Sequence, residues 1–307
     1  MIIVLSFNHY EQGTDPVIDW LLYHKAAFVK ITIQDLIQTN TFFTIDVNQG
    51  RIYVKGKDIT DDIKVIWYRR LESELEIDLP NGKYSEQALF ELKNEVKVTI
   101  KYLKLILANK KWMPKDCGIS LEKPEVSFLA EQYNITTPKS IITNNRQAVI
   151  DFQNKVQSDL IIKPIRHSSY FIDDLYTYSI YTQKLNKESL LEQPERFVLT
   201  LFQECIDAEF EIRVFYLDGE FYATAILITE KENTIVDVKL SYKSNAINWV
   251  PFQLPETYMH LLDAFMKSIS LNTGSLDIMK TKEGEYVLLE INPVGLYSAP
   301  GYRCNYN

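Results

Sequence analysis

The sequence has 307 residues, 46% of them hydrophobic, which is enough to bury more than one core. Its 33 basic and 41 acidic residues give a net charge of −8 without a basic tract, which argues against non-specific nucleic-acid binding. No run approaches the ~20 apolar residues of a membrane span, and the N-terminus lacks the features of a signal peptide. Three widely spaced cysteines predict no disulfide framework, so we expect a protein of the reducing cytoplasm.

The first 115 residues alternate strand and helix patterns. A proline at position 16 suits the first turn of a helix, and an Asn-Gln-Gly segment between two apolar runs indicates a hairpin. The predicted elements are a strand at 2–5, a helix at 15–26, a strand at 28–33, a hairpin of 42–47 with 51–54, a strand at 65–68 and a long helix at 85–107.

The pattern restarts after Pro114, where we expect a domain boundary. The second part predicts helices at 124–133, 146–156 and 256–270, and strands at 138–142, 160–162, 176–181, 197–202, 210–216 and 220–228. A last hairpin covers 275–292. The predicted fold class is therefore α/β (α+β), with an N-terminal domain at 1–118, a small central lobe at 119–206 and a C-terminal lobe at 207–307.

The last hairpin carries a group of oxygen-bearing side chains. If its tight turn is Glu283-Gly284, Asp277 lies directly opposite Glu290, and Asn292 shares their face because strand side chains alternate. Two carboxylates ~5 Å apart repel each other unless something neutralises them. Two explanations remain at this point: a solvated outer face of the hairpin, or a hard-oxygen site for Mg²⁺ that also holds nucleotide phosphates.

The other face of this hairpin is apolar. It carries Ile278, Leu289 and Ile291, and Pro293 follows the last polar position. This pattern favours a constrained site over a solvated face, since one face must be buried for the register to be fixed.

The hairpin motif, Asp277 followed by Glu290-Ile291-Asn292-Pro293, resembles the magnesium motif of ATP-grasp enzymes. Other segments resemble the remaining landmarks of that fold, in order over about 170 residues. They are Ile161-Ile162-Lys163-Pro164 for the phosphate lysine, Phe202-Gln203-Glu204-Cys205-Ile206 for the adenine hinge, Glu211-Ile212-Arg213 for the acidic-Ile-Arg strand, and Asp237-Val238-Lys239 for an Asp-x-Arg motif.

The whole chain is more closely similar to the ATP-grasp peptide maturases of graspetide clusters, also called microviridin-type or grasp-with-spasm maturases. The ribosomal-protein glutamate ligases are more distantly similar. The segments that carry this resemblance are Val17-Ile18-Asp19-Trp20-Leu21, Trp67-Tyr68-Arg69-Arg70 and Glu211-Ile212-Arg213-Val214-Phe215.

Two departures from the ATP-grasp pattern stand out. The phosphate-covering loop of these enzymes is usually rich in glycine, which permits close backbone approach, but residues 166–170 contain none. Lys239 stands where relatives often have arginine, and an ammonium neutralises phosphate without forming a bidentate fork.

The resemblance implies an ATP-grasp fold that binds ATP between the central and C-terminal lobes, with ATP and Mg²⁺ as cofactors. It assigns catalytic roles to Lys163, Arg213 and Lys239, and metal binding to Asp277, Glu290 and Asn292. The ATP-binding residues that it implies are Lys123, Lys163, Gln203, Glu204, Cys205, Ile206, Glu211 and Lys239.

For some of these residues an ordinary structural role competes with the functional one. Lys123 is better explained as a solvated lysine at a helix start, and Cys205 as a small buried apolar side chain than as a nucleophile. Glu211 and Arg213 share a strand face. Either Glu211 binds a ribose hydroxyl and Arg213 clamps a carboxylate, or the two side chains form an ordinary exposed ion pair.

Arg69 and Arg70 end a predicted strand, at the edge that commonly faces the ligand in open α/β folds. Together with Arg213 they are candidates for binding an acidic peptide. The alternative is that Arg69 and Arg70 pair with the nearby Glu72 and Glu74.

The function implied is an ATP-dependent ligase that forms side-chain ester or amide macrocycles in a ribosomally made precursor peptide through an acyl phosphate. The expected partner is a peptide with a leader and an acidic, hydroxyl-rich core, with no nucleic acid and no membrane, and the enzyme is expected to be a homodimer. The alternatives are a ligase that adds amino acids to a protein or joins small molecules, and a nucleotide-binding protein without turnover.

Overall fold

The computed structural model of the chain describes residues 1–7, 9–37, 43–69, 71, 82, 84–115, 121–165, 171–172, 177–178, 182–228, 247–295 and 297–306. The chain divides into two compact units, Met1–Gly118 and Ile119–Asn307. The further division of the second unit at residue 206 stays a prediction.

The first unit is an α/β unit. Its described elements are β1 (Ile2–Leu5), α1 (Asp15–Tyr23), β2 (Phe28–Ile31), α2 (Ile33–Ile37), β3 (Phe43–Asp46), β4 (Arg51–Val54), β5 (Lys57–Asp58), β6 (Val65–Tyr68), α3 (Ser85–Ile106) and β7 (Lys111–Met113).

A parallel sheet of order β2-β1-β6-β7 organises this unit. The run Ile2–Leu5 pairs on both sides, and such a central parallel strand requires a continuous apolar sequence because both of its faces are covered. The predicted hairpin of β3 and β4 is confirmed and extends through β5.

The second unit carries the residues of the candidate site. Its described elements are α4 (Lys123–Glu131), β8 (Ser140–Asn145), α5 (Arg146–Val156), β9 (Leu160–Lys163), β10 (Phe171–Ile172), β11 (Thr177–Tyr178), β12 (Gln183–Leu185), α6 (Lys187–Leu191), β13 (Arg196–Glu204), β14 (Ala208–Leu217), β15 (Glu220–Ile228), β16 (Ile247–Phe252), α7 (Glu256–Ser268), β17 (Thr273–Thr281), β18 (Tyr286–Asn292) and α8 (Ser298–Cys304).

A small antiparallel sheet of order β12-β9-β13-β8 holds the lysine strand and the strand that ends in the hinge. One face of this sheet packs against α5 and α6 through Phe152, Leu160, Leu190 and Phe202. The predicted helix over Arg146–Val156 is confirmed, and the Asn145 side chain caps it by accepting a hydrogen bond from the Ala148 amide at 3.1 Å.

A larger antiparallel sheet of order β16-β15-β14-β17-β18 forms the rest of the unit. Its inner face packs against α4 and α7, with Ile212, Phe265 and Leu276 completely buried. The strands β14, β17 and β18 lie side by side, so their outward-facing residues form one continuous surface, which we call the site face.

The mixed α/β class is confirmed, while several element boundaries and elements were wrong or missed. The first helix ends at Tyr23 rather than at residue 26, and the second strand ends at Ile31 rather than at residue 33. The elements that were not predicted are α2, β5, β7, β10, β12, α6, β16 and α8. Most of the strand predicted at 176–181 lies outside the described residues.

Candidate functional site

The predicted carboxylate pair of the last hairpin is confirmed. In the register of β17 with β18, Asp277 lies opposite Glu290, and Ser275 lies opposite Asn292. Asp277 is 8% exposed, so this face of the hairpin is not a freely solvated surface.

The predicted two-residue turn was wrong, since the loop has three residues. A β-bulge shifts the register back by one residue, so that Asp277 still lies opposite Glu290. Hydrogen bonds from Thr281 N to Glu285 O (2.9 Å) and from Gly284 N to Thr281 O (3.0 Å) close a loop of residues 282–284. The register then shifts between Ile278 and Asp277, because Leu289 is an extra residue on β18. Ile278 therefore faces Leu288, and Leu288 rather than Leu289 is completely buried.

Arg213 binds the carboxylates on both of its sides. It lies on β14 opposite Asp277 of β17, and its Nη1 is 2.7 Å from Asp277 Oδ2. Its Nη2 is 2.6 Å from Glu211 Oε1, two residues earlier on the same strand face. All three side chains are largely shielded from solvent, with 11–21% of their surface exposed. The alternative of an ordinary exposed pair is therefore wrong.

Two lysines add positive charge beside the carboxylates of this cluster. Lys123, at the start of α4, is 9% exposed, and its Nζ is 3.5 Å from Glu290 Oε2, so the prediction of a solvated lysine is wrong. Lys163 ends β9, where burial lowers the pKa of its ammonium, with Glu290, Asp277 and Glu211 acting in the opposite direction. The cluster thus combines the carboxylates of Glu211, Asp277 and Glu290 with the cations Lys123, Lys163 and Arg213.

The donor chemistry of this cluster fits a Mg²⁺ ion that also contacts phosphates. Asp277 and Glu290 offer carboxylate oxygens from facing strands, which are preferred ligands of Mg²⁺. Asn292 Oδ1 accepts a hydrogen bond from Gly295 N at 3.2 Å, and a carbonyl oxygen has a second lone pair available. Within the described residues no group of three side chains among His, Cys, Asp and Glu could hold a metal ion, and a metal at this face would need the Asn292 carboxamide in addition to the two carboxylates.

The hinge between β13 and β14 is held by several internal hydrogen bonds. Gln203 is 3% exposed and donates to Ser140 Oγ at 3.1 Å, and Glu204 Oε1 accepts from Lys139 N at 2.8 Å. The amides of Glu204 and Cys205 donate to Lys139 O and Asp159 O. If adenine binds here, its backbone contacts must come from groups other than these two amides.

Cys205 is half-buried, and burial raises the pKa of its thiol, with Lys184 opposing that rise. A raised pKa lowers the thiolate fraction, which agrees with a packing role rather than a nucleophilic one.

A cavity that the sequence did not predict opens beside Lys123. It has a volume of about 340 Å³ and lies between α4 and the strands β8 and β13. Ser140, Leu201 and Gln203 line it together with the exposed Phe128 of α4. In the sequence, this cavity is indicated only by the alternation along β13. Leu201 and Gln203 share one strand face, and the buried Phe202 points to the other.

Arg69 lies in the first unit, where it is only 3% exposed. Its Nη2 is 3.3 Å from Glu11 Oε1, and its guanidinium lies 5.7 Å from the centre of the Trp67 ring. Burial raises the pKa of Glu11, but a hydrogen bond from Thr14 and the charge of Arg69 outweigh this, and the net pKa is lowered. Arg69 therefore contacts Glu11, a partner that the sequence did not predict.

Arg70 and Lys239 lie outside the described residues, as do the loop at 166–170 and the acidic positions 72 and 74. Their predicted roles stay predictions.

Comparisons with known proteins find similarity at the level of structure. No family model and no curated protein matches the sequence. The macrocyclase MdnC from Microcystis aeruginosa MRC, solved with the precursor peptide MdnA, is 21% identical, with a TM-score of 0.79 over 100% of this chain and 96% of that one.

Two further structures are similar over the whole chain. A RiPP-associated ATP-grasp ligase from Chryseobacterium gregarium, in complex with ADP and a leader and core peptide, is 18% identical, with a TM-score of 0.78 and 100% and 97% of the two chains covered. The ATP-grasp ligase PsnB, solved with a minimal-precursor variant, Mg and ADP, is 17% identical with a TM-score of 0.78, and 100% and 94% are covered. The chain therefore has the ATP-grasp fold.

Proposed function

We propose that this chain is an ATP- and Mg²⁺-dependent ligase that closes side-chain ester or amide rings in a ribosomally made precursor peptide. The observation that carries the proposal is the buried cluster on β14, β17 and β18, in which Arg213 contacts Asp277 beside Glu290. Structures that share this fold over the whole chain were solved with precursor peptides, and this supports the same substrate class here.

The proposed reaction has two steps. A side-chain carboxylate oxygen of the peptide attacks the γ-phosphorus of ATP, the bond to the bridging oxygen breaks, and an acyl phosphate and ADP form. A hydroxyl or amine of the same peptide then attacks the acyl carbon and expels inorganic phosphate, and the nucleophile loses its proton. Phosphoryl transfer of this kind requires positioning and charge neutralisation rather than a protein nucleophile.

The residues of the cluster fit these requirements. Arg213 presents a planar guanidinium to the reacting carboxylate, and Glu211 and Asp277 hold it in place. Lys123 and Lys163 neutralise phosphate oxygens. When bound by Asp277, Glu290 and Asn292, Mg²⁺ supplies further charge neutralisation at the phosphates. Lys239 is assigned to the β/γ end, and the hinge at 203–206 to adenine.

The proposed partner is a precursor peptide with a leader and an acidic, hydroxyl-rich core. We further propose a homodimer in the cytoplasm, and a peptide-binding role for Arg69 and Arg70. Among the described residues, no helix has the length and apolar character needed to cross a membrane. To contact a peptide, the Arg69 guanidinium has to exchange its contact with Glu11.

The experiment combines the purified protein, ATP and Mg²⁺ with a short peptide rich in Thr, Ser, Asp and Glu that is encoded beside its gene. We expect the peptide to lose the mass of one water molecule per ring, with one ADP released for each ring. A gain of amino-acid residues would instead favour a ligase that extends its substrate. ATP binding without any ADP release or mass change would contradict the proposal.

A further inference from the structure

The site face changes character along β14. Glu211 and Arg213 form its charged part, and the next residue on the same face is Phe215, because Ile212, Val214 and Tyr216 point into the core. Phe215 lies opposite Tyr222 of β15, with ring centres 6.4 Å apart. An aromatic surface therefore begins directly beside the Arg213 cluster.

The chain after the candidate metal ligands returns across this surface. Gly295 has a φ of +50°, and a Cβ built there would lie 2.6 Å from Ser275 Oγ. Ser275 pairs with Phe215 on one side and with Asn292 on the other. Only glycine fits this approach, and it allows the Tyr297 ring to lie 5.1 Å from that of Phe215.

The C-terminal helix α8 continues the same surface over β15 and β16. Tyr306 donates a hydrogen bond to Ala223 O at 2.5 Å, and its ring lies 5.7 Å from that of Tyr222. Arg303 lies over the Trp249 ring, 5.3 Å from its centre. We call the surface formed by Phe215, Tyr222, Tyr297 and Tyr306 the aromatic wall. All four residues are half-buried, so none of them is sealed in the core.

The direction of β14 determines what lies beside this wall. The strand leads from the hinge at 203–206 to Glu211, then Arg213, then Phe215. At a rise of ~3.3 Å per residue, Phe215 lies ~7 Å beyond Arg213 and ~13 Å beyond Glu211. A nucleotide that extends from the hinge to Asp277, Glu290 and Asn292 reaches the row of Phe215 only at β18, which lies two strands, or ~10 Å, away from Phe215. This leaves the wall to the second substrate.

We propose that the aromatic wall is a subsite for an apolar or aromatic residue of the peptide, within two positions of the carboxylate held by Arg213. This deepens the proposed function and rests on it. In an extended peptide, residues two apart are ~7 Å apart on the same side, which matches the separation of Arg213 and Phe215. Tyr297 is then a specificity-determining residue, since it comes from a segment that only Gly295 allows to approach.

The test uses capped pentapeptides with one glutamate at the centre and glycine elsewhere, and a set in which one flanking glycine is replaced by phenylalanine. Hydroxylamine traps the acyl phosphate by displacing inorganic phosphate, so the hydroxamate formed with Mg²⁺-ATP reports activation of the carboxylate. We expect at least one phenylalanine peptide to exceed the all-glycine peptide about tenfold in kcat/KM. In Tyr297→Ala this preference should disappear, while the KM for ATP stays within about twofold.

Two control variants separate the subsite from general packing. Tyr297→Phe keeps the ring and should keep the preference. Tyr302→Ala removes the 74% exposed tyrosine of the adjoining helix α8 and should change neither parameter. The same loss of preference in Tyr302→Ala, or an unchanged preference in Tyr297→Ala, would overturn the proposal.

The outcomes also separate this proposal from the proposed function. Equal hydroxamate yield from all peptides would leave the ligase function standing and refute the subsite. Binding of Mg²⁺-ATP with no hydroxamate from any peptide would refute the subsite as well, because the wall is proposed to recognise the reacting residue and its neighbour directly. Absence of Mg²⁺-ATP binding would refute the proposed function itself.

Discussion

The two units each contain an arginine that is largely shielded from solvent and contacts a carboxylate, and the two pairs differ in their surroundings. In the first unit, Arg69 contacts Glu11 at 3.3 Å, and Thr14 donates a hydrogen bond to the same carboxyl group. In the second unit, Arg213 contacts two carboxylates, and one of them faces Glu290 across the hairpin.

The number of charged groups around each arginine distinguishes an isolated ion pair from a cluster that could bind a ligand. The carboxyl group of Glu11 has a cation and a hydroxyl donor around it, so its charge is compensated locally, and without Arg69 it would be left uncompensated. The site face instead concentrates three carboxylates with three cations from five separate strands and helices. That arrangement offers ligands to a metal and cations to phosphates.

The largest effect is expected at the hairpin. Glu290→Gln keeps the shape of the side chain but removes its charge, and it should lower ATP-dependent activity by ~10²–10³-fold, equivalent to ~3–4 kcal/mol. Glu283→Gln, at the exposed turn of the same hairpin, should leave activity unchanged. ADP release at saturating ATP measures both, with circular dichroism as the control for folding. A folded and fully active Glu290→Gln enzyme would remove the basis of the metal assignment.

In the first unit a corresponding change should affect stability. Arg69→Ala leaves the Glu11 carboxylate without its cation in a largely buried position, so we expect the free energy of unfolding to fall by about 2–3 kcal/mol. Arg51→Ala, which breaks an exposed pair with Asp61, should have little or no effect. Urea unfolding measures both variants. Unchanged stability in Arg69→Ala would contradict this expectation, whereas a higher KM for the peptide would support the proposed peptide-binding role.

Lys163 gives a prediction about pH in the second unit. Its folded pKa is lowered from 10.5, so the unfolded state binds more protons as the pH approaches that value. The contribution of Lys163 to the free energy of unfolding should therefore rise with pH between the lowered pKa and 10.5. The affinity for ATP should change in the opposite direction, since phosphate binding needs the protonated form.

Lys163→Met tests whether Lys163 causes both effects. It should remove this part of the pH dependence of unfolding and weaken ATP binding about 10–100-fold, the size of a charge-assisted hydrogen bond. Urea unfolding from pH 7 to 10 and titration calorimetry with an ATP analogue provide the measurements. A pH dependence identical to that of the unmodified protein would show that Lys163 does not carry the shift.

Local patterns predicted those features that depend on neighbours in sequence. The helix Arg146–Val156 has its own cap, and the Asp277–Glu290 pair follows from a short hairpin with a side-chain period of two. The turn was predicted one residue too short, but the bulge at Leu289 shifts the register by one residue. The predicted pair is therefore correct, although the predicted register of the hairpin tip is wrong.

Features that depend on distant contacts could not be predicted in this way. Lys123 reads as a solvated residue at a helix start, and only the contact of α4 with β18 buries it against Glu290. The strand Ile247–Phe252 contains Pro251, which argues against a strand in sequence, but the strand lies at the edge of its sheet, where proline is tolerated. Arg69 was correctly placed at a strand end, yet its partner Glu11 is 58 residues away in sequence.

The central claim is that the site face activates a peptide carboxylate as an acyl phosphate, and oxygen labelling tests this most directly. A precursor peptide whose side-chain carboxylates carry ¹⁸O is incubated with the enzyme, ATP and Mg²⁺, and the phosphate products are analysed by mass spectrometry. Our account predicts one ¹⁸O atom in inorganic phosphate for every ring formed, because the carboxylate oxygen that attacks the γ-phosphorus leaves with the phosphate. Ring formation with the label in AMP, or with unlabelled phosphate, would contradict it.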